Sequence, residues 1–266
     1  MPDEPAENIS GGATGGGVPD EFVPGDGDSR AEAVVDALGE RYWQKTYGGK
    51  DGFECLVRTI LSQNTSDVAS QPAHDDLMNR YGPADELAET LADADRDELA
   101  ETISSAGLYN RKSGVIREAA RWALDEFGST AEFDAYVREG EPDDVRETLL
   151  SVDGVGPKTA DCVLLFAGGR GGVFPVDTHV HRIARRMGLA PADADHEGVR
   201  EAIEATVPPE KCGFGHTAMI QFGREYCTAR KPACLEGPEA CPLYDLCDRV
   251  GIDEIDGEAI DPSEVA

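Results

Sequence analysis

The chain has 266 residues, with 24 Lys plus Arg against 53 Asp plus Glu, for a formal net charge of -29. Taken alone, that charge argues against a nucleic-acid partner, because polyanions repel each other. The reading favoured here is a solvating acidic surface of the kind carried by proteins of salt-loving microbes, so the charge constrains the environment more than the ligand.

Residues 1–29 are rich in Gly, Pro and acids without an apolar period and are expected to be disordered. This N-terminus lacks the basic and apolar segments of a signal peptide, and no stretch approaches the ~20 apolar residues of a membrane span. The expectation is a cytoplasmic protein without membrane contact, in a high-salt cytoplasm.

Beyond residue 29 the apolar period is helical. Phe53, Leu56, Val57, Ile60 and Leu61 follow the i, i+3, i+4, i+7, i+8 rule and lay one stripe along a helix. Similar stripes run through Leu87 and Leu91, through Leu99 and Ile103, and through Val115, Ile116, Ala119, Ala123 and Phe127, with Gly128 as a C-cap. Others pass through Val145, Leu149 and Leu150, then Val163 and Leu164, then Val180, Ile183, Ala184 and Met187 before Gly188. No alternating strand pair is evident, so the fold is expected to be all-α, with Trp122 and most aromatics in the core. The acidic segment 249–266 is expected to fray.

Three segments carry chemistry. In "SVDGVGPKTA", Gly154, Val155 and Gly156 form a tight turn, and Pro157 suits the first position of the next helix. Backbone N–H groups at such a turn and helix start make an anion site that fits a phosphate. Lys158 follows at once. In "PVDTHVHRIARRMG", Asp177 precedes an amphipathic helix, as an N-cap or as a carboxylate held at the mouth of a cleft. Cys227, Cys234, Cys241 and Cys247 crowd one segment, and in a reducing compartment this favours metal over disulfides, as an iron–sulfur cluster or a tetrahedral zinc. Arg224, Arg230 and Lys231 give that segment a local basic spot that tolerates a phosphate backbone. Cys55, Cys162 and Cys212 sit singly in apolar contexts and are read as core.

Taken in order, "LSQNTSD", "GLYNRK", "GVGPKTA", "VDTHVHR" and the four-cysteine loop resemble the endonuclease III branch of the helix-hairpin-helix DNA glycosylases, over about residues 30–248. The resemblance implies a six-helix barrel with the hairpin at 45–169, and an iron–sulfur cluster domain from 30–44 and 170–248. It implies a [4Fe-4S] cluster on the four cysteines and double-stranded DNA with damaged bases or abasic sites as partner, bound by a monomer in a cleft between the domains. Lys158 matches the family's nucleophilic lysine and Asp177 its essential aspartate. The expected activity is removal of oxidised pyrimidines through a lysine Schiff base, with strand cutting by β-elimination. A neutral amine is the group such chemistry needs, and a carboxylate stabilises the cationic sugar.

The flipped-out nucleotide leaves a gap that something must fill. Leu108 matches the family's leucine, while either Gln63 or Asn64 supplies the amide. His179 and Arg182 are further candidates for DNA contact. The cysteine spacing departs from the family, because Cys234 and Cys241 enclose six residues, "LEGPEA", instead of the usual two. Lengthening a surface loop costs little, so the cluster is retained as the expectation, with zinc as the lesser option. The rival functions are a monofunctional mismatch or adenine glycosylase and a non-catalytic DNA-binding protein with a structural metal centre.

Overall fold

The computed structural model describes residues 19–20, 27–39, 41–42, 44–45, 51–65 and 67–265. Among them run twelve α-helices: α1 Arg30–Gly39, α2 Gly52–Ser62, α3 Asp67–Tyr81, α4 Leu87–Asp93, α5 Arg96–Thr102, α6 Tyr109–Phe127, α7 Thr130–Glu139, α8 Pro142–Leu150, α9 Pro157–Phe166, α10 Thr178–Met187, α11 His196–Glu204 and α12 Pro209–Glu225. Among the described residues strands are limited to two antiparallel pairings of two residues, β1 Pro19–Asp20 with β2 Gln44–Lys45 and β3 Ile252–Asp253 with β4 Glu258–Ala259. The fold is all-α.

Helices α2–α9 form one compact unit within Tyr47–Arg170, while α1, α10–α12 and the C-terminal segment belong to another. In the first unit the five apolar residues of α2 are fully buried, as their spacing predicts. Asp134 on α7 accepts from the Phe53 N–H at 2.8 Å and so caps α2 from outside its own sequence. Burial pushes that carboxyl up to about 6. Phe53, Trp122, Phe127 and Phe133 meet edge to face with centroids 5.4 to 5.9 Å apart, so that Trp122, itself partly buried, packs against the buried Phe133 ring.

The second unit is centred on α12, buried from Lys211 to Gly223. A helix buried all round has no apolar stripe, so periodicity does not reveal it. Its glycines make room for neighbours: a Cβ on Gly215 would lie 2.6 Å from the Phe174 ring. Lys211 donates to Glu32 at 2.6 Å and to Asp36 at 2.7 Å, tying α12 to α1.

One expectation is corrected, that for residues 249–266, while the one for residues 1–29 falls mostly outside the described residues. Within residues 1–29, β1 is paired, and the Ser29 hydroxyl donates to Thr206 O and accepts from Glu32 N at the start of α1. The rest of that stretch, to residue 26, lies outside the described residues. The 249–266 segment is folded where it is described, rather than frayed. Val250 N donates to Arg186 O, Ile260 N to Gly251 O, and the buried Arg185 guanidinium holds Asp261 at 2.8 Å. An acidic segment folds when a desolvated cation is there to receive it, and composition does not report that cation.

Candidate active site and iron–sulfur loop

The hairpin joins α8 to α9. Gly154 takes a left-handed φ of 85°, Val155 N donates to Val152 O at 3.0 Å, and Pro157 opens α9. A Cβ on Gly154 would lie 2.8 Å from Val115, so glycine is required there twice over. Gly156 is different: its backbone is extended, and nothing lies within 4 Å of where its Cβ would be. No neighbour among the described residues demands that glycine, whereas close approach of an outside group to the backbone would. Lys158 stands half-buried in the first turn of α9, at the positive end of the helix.

The loop after α2 closes against this hairpin. Gln63 Nε2 donates to Gly154 O and to Thr159 Oγ1, both at 3.1 Å. Asn64 is exposed, with a left-handed φ of 51°. Leu108, which precedes α6, is 57% exposed and also left-handed, with φ 48°. Sequence reasoning missed the residue between these two loops, Lys112. It is 4% exposed, and its ammonium donates to Leu61 O at 2.7 Å, Thr65 Oγ1 at 2.7 Å and Ala106 O at 2.8 Å. Burial pulls its pKa down to about 8. The only sequence signal was a lysine on the apolar side of a helical repeat.

Asp177 is the N-cap of α10, its Oδ1 accepting from His179 N at 2.8 Å and Val180 N at 2.9 Å. Two arginines of α10 hold the backbone that follows α12. Arg182 donates to Cys227 O at 2.8 Å and Gly223 O at 3.3 Å and approaches His179 Nδ1 at 3.1 Å. The guanidinium is therefore committed to backbone of its own unit, and His179 packs against Gly223, whose Cβ would lie 2.7 Å from its ring. Arg186, 3% exposed, donates to Thr228 O at 2.7 Å and Ala229 O at 2.6 Å and points at Cys227 Sγ at 3.7 Å. Arg230 and Lys231 are exposed at the tip of the same loop.

Cys227, Cys234, Cys241 and Cys247 line one pocket with Phe222, Tyr226, Pro232 and Tyr244. None is in a disulfide. Among the described residues no three Cys, His, Asp or Glu side chains close on a point as a single ion requires. Burial pushes Cys234 up to about 11 and Cys247 up to about 12, and neighbouring thiols push the same way, so four thiolates there need a positive centre. Cys247 Sγ also accepts from Arg249 N at 3.3 Å. The donor set fits an iron–sulfur cluster. The "LEGPEA" insertion folds as two short 3-10 turns, Ala233–Glu236 and Pro238–Ala240, with Glu236, Pro238 and Glu239 exposed.

A helix–turn–helix presenting a lysine and a helix-capping aspartate, in an all-α protein with a four-cysteine loop, defines a helix-hairpin-helix base-excision DNA glycosylase. Residues 57–209 match the model of the HhH-GPD superfamily base excision DNA repair proteins, and the chain belongs to that family. Residues 227–247 match the iron–sulfur binding domain of endonuclease III, and the group held there is a [4Fe-4S] cluster. Endonuclease III of Thermotoga maritima is 32% identical over 74% of this chain and 83% of its own. A solved non-covalent endonuclease III–DNA complex aligns with a TM-score of 0.66 at 26% identity, covering 83% of this chain and 96% of that one. A trapped endonuclease III–DNA covalent intermediate aligns at 0.64 and 28% identity, covering 84% and 92%.

Proposed function

We propose that this DNA glycosylase is bifunctional, removing oxidised pyrimidines from double-stranded DNA and then cutting the strand at the abasic site. The observation that carries the reading is Lys158 in the first turn of α9, two residues after Gly156, an extended glycine whose Cβ side is open among the described residues. A phosphate received by the turn amides brings the sugar of the flipped nucleotide to the amine. The neutral amine attacks C1′; the C–N bond to the base breaks, and the base leaves with the electron pair and takes up a proton. The Asp177 carboxylate favours the positive charge that builds on the sugar. Ring opening gives the lysine imine. Loss of a C2′ proton then expels the 3′ phosphate, and water hydrolyses the imine to return Lys158.

In this reading Asn64 and Leu108 fill the gap, because both are exposed on left-handed backbone while the Gln63 amide is held by the hairpin. Arg230 and Lys231 meet the phosphate backbone. When bound, the cluster supplies a rigid inorganic core to which four points of the Cys227–Cys247 loop are fixed. The protein is expected to act as a monomer, and the domain division is proposed as 45–169 against 30–44 with 170–248.

Borohydride reduction during turnover of abasic duplex tests the proposal. Wild type should give a covalent protein–DNA adduct, and Lys158→Gln none, while retaining lesion binding through the hairpin amides. Adduct formation by Lys158→Gln at the normal rate would overturn it. Excision without any adduct in the wild type would favour the monofunctional rival.

A further inference from the structure

Two neighbouring loops each hold a side chain outward on backbone that L-residues disfavour. Asn64 and Leu108 have φ of 51° and 48°, a conformation costing on the order of 1 kcal/mol each. Such angles persist only where flanking atoms are held. Here the flanks share one anchor, as Leu61 O, Thr65 Oγ1 and Ala106 O all receive the Lys112 ammonium. Thr65 Oγ1 also donates to Ala106 O, linking the loops directly. Gln63 reaches the hairpin through Gly154 O. Gly107, between anchor and wedge, has φ 60°, which a glycine adopts freely.

We infer that Lys112 is a positioning residue for duplex interrogation: it staples the Asn64 loop to the Leu108 loop so that both side chains enter the gap as one rigid wedge. The inference rests on the proposed gap-filling role of those two residues. Lys112 itself is buried away from solvent and touches neither DNA nor the reacting sugar. A buried ammonium with three neutral oxygen partners is an expensive way to hold two loops, and a hydrophobic residue would pack the site without fixing either carbonyl. The arrangement follows if rigidity, not stability alone, is what the site needs. A flipped nucleotide leaves a gap only in a duplex, so the staple matters where strands are paired and little where the abasic site is in a single strand.

The test compares the rate of borohydride-trapped adduct on an abasic oligonucleotide presented as duplex and as single strand. Lys112→Met should lower kcat/KM on the duplex by about tenfold to 10²-fold, the scale set by a group displaced by around an ångström. On the single strand the loss should stay under about threefold. Leu108→Ala should show the same duplex selectivity. The double variant should be no worse than the more damaged single by more than about twofold, because coupled residues do not add. Thr65→Val removes the hydroxyl between the loops and keeps the lysine; it should repeat the duplex-selective loss, and it carries the test if Lys112→Met fails to fold. Equal losses on both substrates, or losses that multiply with Leu108→Ala, would overturn the role of Lys112 alone. If Leu108→Ala is itself indifferent to strandedness, the wedge reading beneath it falls.

Discussion

The hairpin turn and the cysteine loop solve opposite problems. The turn from Val152 to Pro157 closes with one backbone bond, a left-handed glycine and a proline, so its local sequence specifies its shape. The loop from Cys227 to Cys247 has no regular helix longer than a 3-10 turn, and its carbonyls are held by arginine side chains, two of them from the distant α10. Arg182 takes Cys227 O, Arg186 takes Thr228 O and Ala229 O, and Arg249 takes Tyr244 O and Cys247 O. A locally specified turn is free to present its amides to a ligand. A loop whose backbone is held by borrowed donors depends on those donors and on its cluster, so damage should travel differently in the two regions.

The largest expected effect separates them outright. Cys241→Ser should abolish the visible absorption of the cluster and make 227–247 the first site of limited proteolysis, while peptides spanning 152–157 stay protected. Simultaneous cleavage in both regions would break the comparison. Next comes Asp177→Asn, which keeps a helix cap of similar quality but removes the charge. Excision should fall by about 10²-fold or more, with the melting temperature nearly unchanged; a matching fall in stability would mean the aspartate acts through folding.

Arg186→Met should weaken the cysteine loop by about 1.5–3 kcal/mol, since the part-buried carbonyls of Thr228 and Ala229 lose their charged donor. Chemical denaturation followed through the cluster absorption would measure it. In the other unit the sensitive charge is Asp134. Its folded pKa of about 6 lies above the ordinary 3.8, so its contribution is full below about pH 3.8 and is lost as pH rises through 6. Asp134→Asn still accepts from Phe53 N and does not ionise, so it should gain on the wild type between about pH 4 and 7, by up to ~3 kcal/mol. Melting curves that stay parallel across that range would exclude the carboxyl as the cause. The smallest effect is expected from deleting residues 235–238, which restores the shorter spacing between Cys234 and Cys241. Loop entropy changes by less than ~1 kcal/mol, and cluster content should be kept.

Much of this was legible because it is local. The stripe of α2, the Gly128 and Gly188 caps, the hairpin before Lys158 and the cap at Asp177 each follow from residues within a few positions of one another. The cysteines announced a metal by crowding. Net charge was the misleading signal, since -29 describes the whole surface and says nothing of a few amides and cations at one site.

The sequence by itself therefore determined the helices with one apolar face, the turn chemistry of the hairpin and the ligand set of the cluster. Only the tertiary structure decided which amide of "SQN" faces the hairpin: Gln63 does, and Asn64 is left exposed. It alone showed α12 as a helix buried all round, a folded acidic segment held by Arg185, and a lysine joining Leu61, Thr65 and Ala106. The physical reason is range. Helix periodicity, glycine angles and caps are properties of adjacent residues, whereas a buried cation acquires its function from carbonyls brought to it by packing, and no spacing along the chain encodes their arrival.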